Sequence, residues 1–404
     1  MQVRGELKKK TITFWHPYGD KVNTAAVEKI ATGFMKDHPD VIVKTEFIGG
    51  TGSGSGITDK LSAAISGGIA PDVVIFDRFQ VGQWADQGLF EDITADVKAA
   101  GVTPDQFYKF SWDESSYKGK QYGLPFDTDA RALFYNKDMF KESGLDPENP
   151  PKTIAELDKA AEKLTVKQGN GYKTLGFYPW DGQGWLYTWG WAFGGNFTDA
   201  SGKVTANDPK IIEALKWETS YAKKYGIENI TSFATAGGAD ISPFAAKKIG
   251  MTISGPWELA GLKTNAPDLN YGVSLIPSPD GAGVGSWAGG FALVVPKGAK
   301  DKKDAVDFIK YACTGDGAKV FGEDTTHFMS FQSINAGLGW VKSEPRAKIF
   351  IDALPNSHNR PVLSKGQLLW DELATATDNA FHGKGDPKKL LDDVTSKVNK
   401  ELGK

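Results

Sequence analysis

Twelve tryptophans are spread through the 404 residues, and several lie among Gly, Asp and Gln rather than in apolar runs. Trp185, Trp189 and Trp191 crowd one such stretch, which opens with Asp181-Gly182-Gln183-Gly184. A flat indole beside short polar side chains is what a sugar site needs. The C–H face of a pyranose stacks on the ring, and its hydroxyls take hydrogen bonds from the polar neighbours. Ordinary packing still has to account for most of the twelve. The glycines around Trp185 leave room for a ligand and equally suit a plain turn. Trp370, in Leu368-Leu369-Trp370-Asp371, sits in an apolar helical context where core packing is an equal reading.

Covalent and metal chemistry find less support. His16, His38, His327, His358 and His382 are scattered, with no H-E-x-x-H for zinc. No G-x-S-x-G elbow is present. Cys313 is the one cysteine, so neither an intramolecular disulfide nor a thiolate metal site can form, and Ala312-Cys313-Thr314 reads as a small helix residue. The run Gly49–Gly56 resembles a phosphate loop only in its glycines, because Ile57-Thr58-Asp59-Lys60 follows where Gly-Lys-Ser/Thr is required. A rim loop offering backbone N–H groups, or a plain connector, fits it better. Glycoside hydrolysis needs two carboxylates flanking the scissile bond. With 50 Asp and Glu, counting cannot exclude such a pair, so a glycoside-active enzyme stands as the rival class.

A net charge of −3 and a pI near 6.0 give no electrostatic reason to expect nucleic acid or an anionic membrane as partner. Nothing approaches 18 consecutive apolar residues. Met1-Gln2-Val3-Arg4-Gly5-Glu6 lacks the apolar region of a signal peptide. That leaves a cytoplasmic protein, or an exported one whose signal has been replaced by Met1.

The elements that must position these residues follow from periodicity. Thr11–Trp15, Val41–Phe47 and Pro71–Asp77 read as buried strands, separated by helical patterns over Thr24–Lys36 and Lys60–Ser66. Strand, helix, strand, helix, strand implies parallel βαβ units. Beyond Ala130 helices dominate. Thr153 is a candidate N-cap with Glu156 placed for a capping box, and Asn207-Asp208-Pro209 opens a helix running to Tyr225. Further strands are expected at 249–253, 271–276 and 291–296, and helices at Lys302–Thr314, 344–354, 367–382 and 386–402. At this length two domains are the default.

The order of segments resembles one family over nearly the whole chain. The matching stretches include Gly19-Asp20-Lys21, Ala70-Pro71-Asp72-Val73-Val74, Phe76-Asp77-Arg78-Phe79, Leu124-Pro125-Phe126-Asp127 and Leu133-Phe134-Tyr135-Asn136-Lys137-Asp138. Ser254-Gly255-Pro256-Trp257, Gly289-Gly290 and Val294-Val295-Pro296-Lys297-Gly298 follow in proportionate spacing. Together they resemble the extracellular solute-binding proteins (family 1) that serve carbohydrate ABC importers, of the maltodextrin and oligosaccharide type.

The resemblance implies an α/β, two-lobed periplasmic-binding-protein fold. Each lobe would be a mainly parallel sheet flanked by helices, with the ligand cleft between lobes and hinge closure around the ligand. The expected lobes are 1–126 plus 290–332 and 127–289 plus 333–404, with hinges near 125–128, 287–291 and 331–335. The partners implied are an oligosaccharide and the permease subunits of an ABC transporter. The protein would be an exported monomer, periplasmic or lipid-anchored, with no cofactor, no metal and no catalytic residues. A related scaffold could instead take a glycerol phosphoester, a polyamine, iron or thiamine. The tryptophans favour sugar.

By the resemblance, Asp77 and Arg78 form a polar ligand-contacting pair, against a reading as a mere surface ion pair. Trp257 takes a stacking position, against packing at its helix start. Trp185 and Trp370 match further aromatic platforms. Asp20 and Lys21 match a polar pair, although an Asp before a helix is often only a cap. One of Asp127 and Asp129 contacts ligand at the first hinge. Trp287 and Gly289 precede the later hinge strand, and Trp15 and Arg360 complete the set of candidates.

Overall fold

The sequence runs Val73-Val74-Ile75-Phe76 without a polar break, and the structure shows why. In this computed structural model, which describes residues 9–49, 55–235, 241–283 and 286–404, Val73 and Ile75 face one apolar cluster with Ile12, Phe14 and Phe308. Val74 and Phe76 face another with Leu61, Trp84 and Phe90. A strand buried on both faces must read as continuous hydrophobic sequence.

The chain divides into two units. The first comprises Met1–Thr128, Gly289–Ser343 and Val362–Ser364; the second comprises Asp129–Ala288, Glu344–Pro361 and Lys365–Lys404. The first unit is built on a five-stranded sheet in the order Val41–Phe47, Lys10–His16, Val73–Asp77, Phe291–Val294, Gly123–Pro125. The first three strands are parallel. Phe291–Val294 runs antiparallel to both of its neighbours. The Gly289–Ser343 segment of this unit ends later than the 331–335 crossing read from the sequence, and Val362–Ser364 belongs to the unit as well. Asn335 holds both backbone groups of Met329, and the indole N–H of Trp340 donates to the Gly322 carbonyl at 2.9 Å.

The second unit centres on Ala132–Asn136, buried throughout and flanked by Met251–Ser254 and Tyr271–Ser274. Here strand sense departs from expectation. Both pairings are antiparallel, so the expected parallel arrangement is absent here, and in the first unit it holds for the first three strands. Ala132–Asn136 is the first strand after the crossing and runs against two strands that are parallel to each other. The α/β class, with sheets flanked by helices, is as read.

Helix signals carry through locally. Thr153 caps Ile154–Leu164, its hydroxyl accepting from the Glu156 N–H at 3.1 Å while Glu156 accepts from the Thr153 N–H at 3.0 Å. Asp208 caps Pro209–Tyr225. No helix among the described residues is long and apolar enough to cross a membrane.

Candidate functional site

In parallel sheets, residues just past the strand C-termini are the ones offered to ligands. At the C-terminal ends of the first unit's parallel strands stand Trp15 and His16, Phe47, and Asp77. Most are already engaged within the unit. Trp15 donates its indole N–H to Glu46 at 3.0 Å. Asp77 caps the helix Arg78–Asp86 through the Phe79 N–H at 3.0 Å. Asp20 caps Lys21–Asp37, accepting from the N–H groups of Val22 and Asn23 at 3.0 and 2.9 Å and from the Asn23 amide at 2.8 Å. Burial pushes the Asp20 carboxyl up, but these bonds outweigh it and hold the group below its ordinary range. Lys21 is exposed.

Arg78 departs furthest from expectation. It is fully buried, with Nε on Glu114 at 3.1 Å and its terminal nitrogens on the carbonyls of Asp127 and Gly289. It therefore knits the unit together rather than presenting a fork to ligand. Asp127 is likewise occupied: it accepts from the Phe291 N–H at 2.7 Å and lies 3.0 Å from His327 Nδ1. Gly289 supplies a carbonyl. The tight backbone belongs to Gly290, where φ is +129° and a Cβ would fall 2.5 Å from the Asp127 carbonyl oxygen. Phe47, 49% exposed at the end of its strand, was not singled out from the sequence. Its signal was slight, one aromatic closing a strand before a glycine run. That run falls mostly outside the described residues, which end at Gly49 and resume at Ser55.

In the second unit the candidates come together. Trp185, 38% exposed, meets Trp370 with ring centroids 4.3 Å apart and Trp287 at 6.1 Å. Tyr187 stacks on Trp370 at 5.7 Å. The turn carrying Trp185 is fixed by Asp181, which accepts from the Thr252 hydroxyl at 2.5 Å. Burial raises the Asp181 carboxyl despite that bond. Gly182, at φ +57°, lies so close to the Ile253 carbonyl that a Cβ would sit 2.3 Å from it. The glycine near Trp185 thus answers to backbone packing.

Beneath this face Trp287 is buried and works as a support. The Arg131 guanidinium lies 3.8 Å from its ring centroid and that of Arg360 at 5.2 Å, both arginines being buried. Arg131 also lies 5.4 Å from the ring of Trp257, bonds Gln183 at 3.1 Å and pairs with Asp129. Asp129 rather than Asp127 therefore belongs to the aromatic face. Trp257 opens the helix Trp257–Asn265 half-buried, its ring folded over Gly255. Sequence reading missed Arg131 and Tyr187. An Arg two residues past an Asp carries no local sign of the indoles it meets.

The arrangement is a partly exposed indole platform, backed by the buried indole of Trp287 held under two guanidinium groups, with a carboxylate and an amide at its margin. It offers flat apolar faces and hydroxyl partners. Among the described residues no group of three or more His, Cys, Asp or Glu could hold a metal ion.

Comparison with known proteins follows the same line. The chain is 25% identical over 407 residues to a maltooligosaccharide ABC transporter solute-binding lipoprotein of Streptococcus pneumoniae serotype 4, covering 98% of this chain and 89% of that one. It is 28% identical over 344 residues to the maltodextrin-binding protein MdxE of Bacillus subtilis, covering 83% and 78%. A solved structure, CpMnBP1 with mannotriose bound, superposes with a TM-score of 0.83 at 30% identity, over 96% of this chain and 99% of the other. The profile of the bacterial extracellular solute-binding proteins matches residues 18–319, and the chain belongs to that family.

Proposed function

We propose that the protein binds an oligosaccharide reversibly and delivers it, unreacted, to the permease of an ABC importer. The observation that carries this is the exposed indole of Trp185 against Trp370, held by the buried Trp287–Arg131 stack. Such a face binds sugar rings by their C–H side, and several rings together favour a chain over a single sugar. Names of relatives and the mannotriose complex support the same class. Trp257 serves as a second stacking ring, with Asp129 and Gln183 as hydroxyl partners. Asp77, Asp20 and Lys21 of the first unit are proposed as further polar partners of the sugar. The protein acts as an exported monomer, free in the periplasm or lipid-anchored at the outer face, and not as an enzyme.

Calorimetry and Trp fluorescence against malto-, manno-, xylo-, gluco- and cello-oligosaccharides test this, with product analysis after long incubation. Binding with the sugar recovered intact supports capture. Cleaved sugar moves the assignment to a glycoside hydrolase, and silence across the panel moves it to a non-sugar solute.

A further inference from the structure

A groove of about 450 Å³ runs through the second unit from the Trp185–Trp370 pair to Phe381. Its volume lies in the range of small-molecule sites, roughly 300–1,000 Å³. One wall is the helix Gly366–Phe381, on which Trp370, Thr377 and Phe381 recur at helical spacing and share a face. Eleven residues of helix span about 16 Å, longer than one hexose ring. At the far end Trp180 and Phe381, both half-buried, pack with centroids 4.1 Å apart and form a second aromatic floor. Its rim is polar. The Asp378 side chain is 63% exposed, with its carboxylate 3.2 Å from His382 Nδ1, which meets the Asp378 backbone carbonyl at 2.9 Å.

We propose that this groove takes further residues of the same oligosaccharide whose first ring stacks on Trp185, the chain running along the helix toward Phe381. The inference rests on the sugar-binding reading above. Two features select the occupant. The groove is continuous with the Trp185 platform, and it repeats that platform's chemistry, with rings below and hydroxyl partners at the edge. A purely apolar molecule would make no use of Asp378 and His382.

The test is calorimetry of the whole chain with two series, mannobiose to mannohexaose and maltose to maltohexaose. In the series that binds, affinity should keep rising beyond the disaccharide, by about three- to tenfold for the ring that reaches Phe381. Phe381→Ala should lose that increment while holding disaccharide affinity. Asp378→Asn, at an exposed position remote from the core, should lower long-chain affinity several-fold and leave the disaccharide unchanged. Affinity that stops rising at the disaccharide overturns the inference, as does an increment that survives in both variants. Absence of binding to every member of both series overturns the sugar reading itself, and this one with it.

Discussion

Arg78 Nε lies 3.1 Å from Glu114 Oε2, with both side chains out of solvent. Glu114 lies in none of the stretches whose family resemblance made Asp77-Arg78 a ligand-contacting pair. Burial leaves the guanidinium committed to Glu114 and to two backbone carbonyls. Replacing it by Ala strands a buried carboxylate, which costs about 3–5 kcal/mol. Urea unfolding of Arg78→Ala should show that loss. A variant of unchanged stability with lost sugar affinity would restore the ligand-contact reading.

Gly290 should be equally intolerant. At φ +129° a side chain is strained, and its Cβ would meet the Arg78 guanidinium and the Asp127 carbonyl. Gly290→Ala is expected to cost about 1–3 kcal/mol. Gly289→Ala, where backbone φ is not in that region, should cost less. Thermal melts of the two variants compare them directly.

Glu218 supplies the pH dependence. It is fully buried in the helix Pro209–Tyr225, and neither carboxylate oxygen has a partner among the described residues. Burial raises its pKa well above the ordinary value. The folded state therefore keeps a proton that the unfolded chain releases near pH ~4.3. Its contribution is most favourable below that value and declines as pH rises toward the folded pKa. Glu218→Gln should flatten this slope and stabilise the second unit at pH 7. Denaturant midpoints at pH 4, 5.5 and 7 measure it, and parallel curves for the two proteins would sink the idea.

Much of this architecture is legible in the sequence because its causes are local. The Thr153–Glu156 box, the Asp208 cap and the helix Lys302–Thr314 depend on neighbours three or four residues away. The buried Val73–Asp77 strand shows itself through an unbroken apolar run. Strand sense in the second unit is not local, since it depends on which strand Ala132–Asn136 lies beside. The candidate site divides the same way. Trp185 and Trp370 announce themselves by residue type, whereas Arg131 matters only because folding brings it over Trp287. Arg78 and Trp287 are both buried, and packing within their own units gives them supporting parts that residue type alone does not reveal.

The central claim is that sugar rings stack on the Trp185–Trp370 face, and calorimetry of Trp185→Ala against the parent chain, using the tightest sugar of the panel, tests it most directly. The account predicts a loss of about 1–3 kcal/mol in binding free energy, with an unfolding midpoint close to the parent's because Trp185 is already partly exposed. Undiminished affinity in a folded Trp185→Ala protein would contradict it.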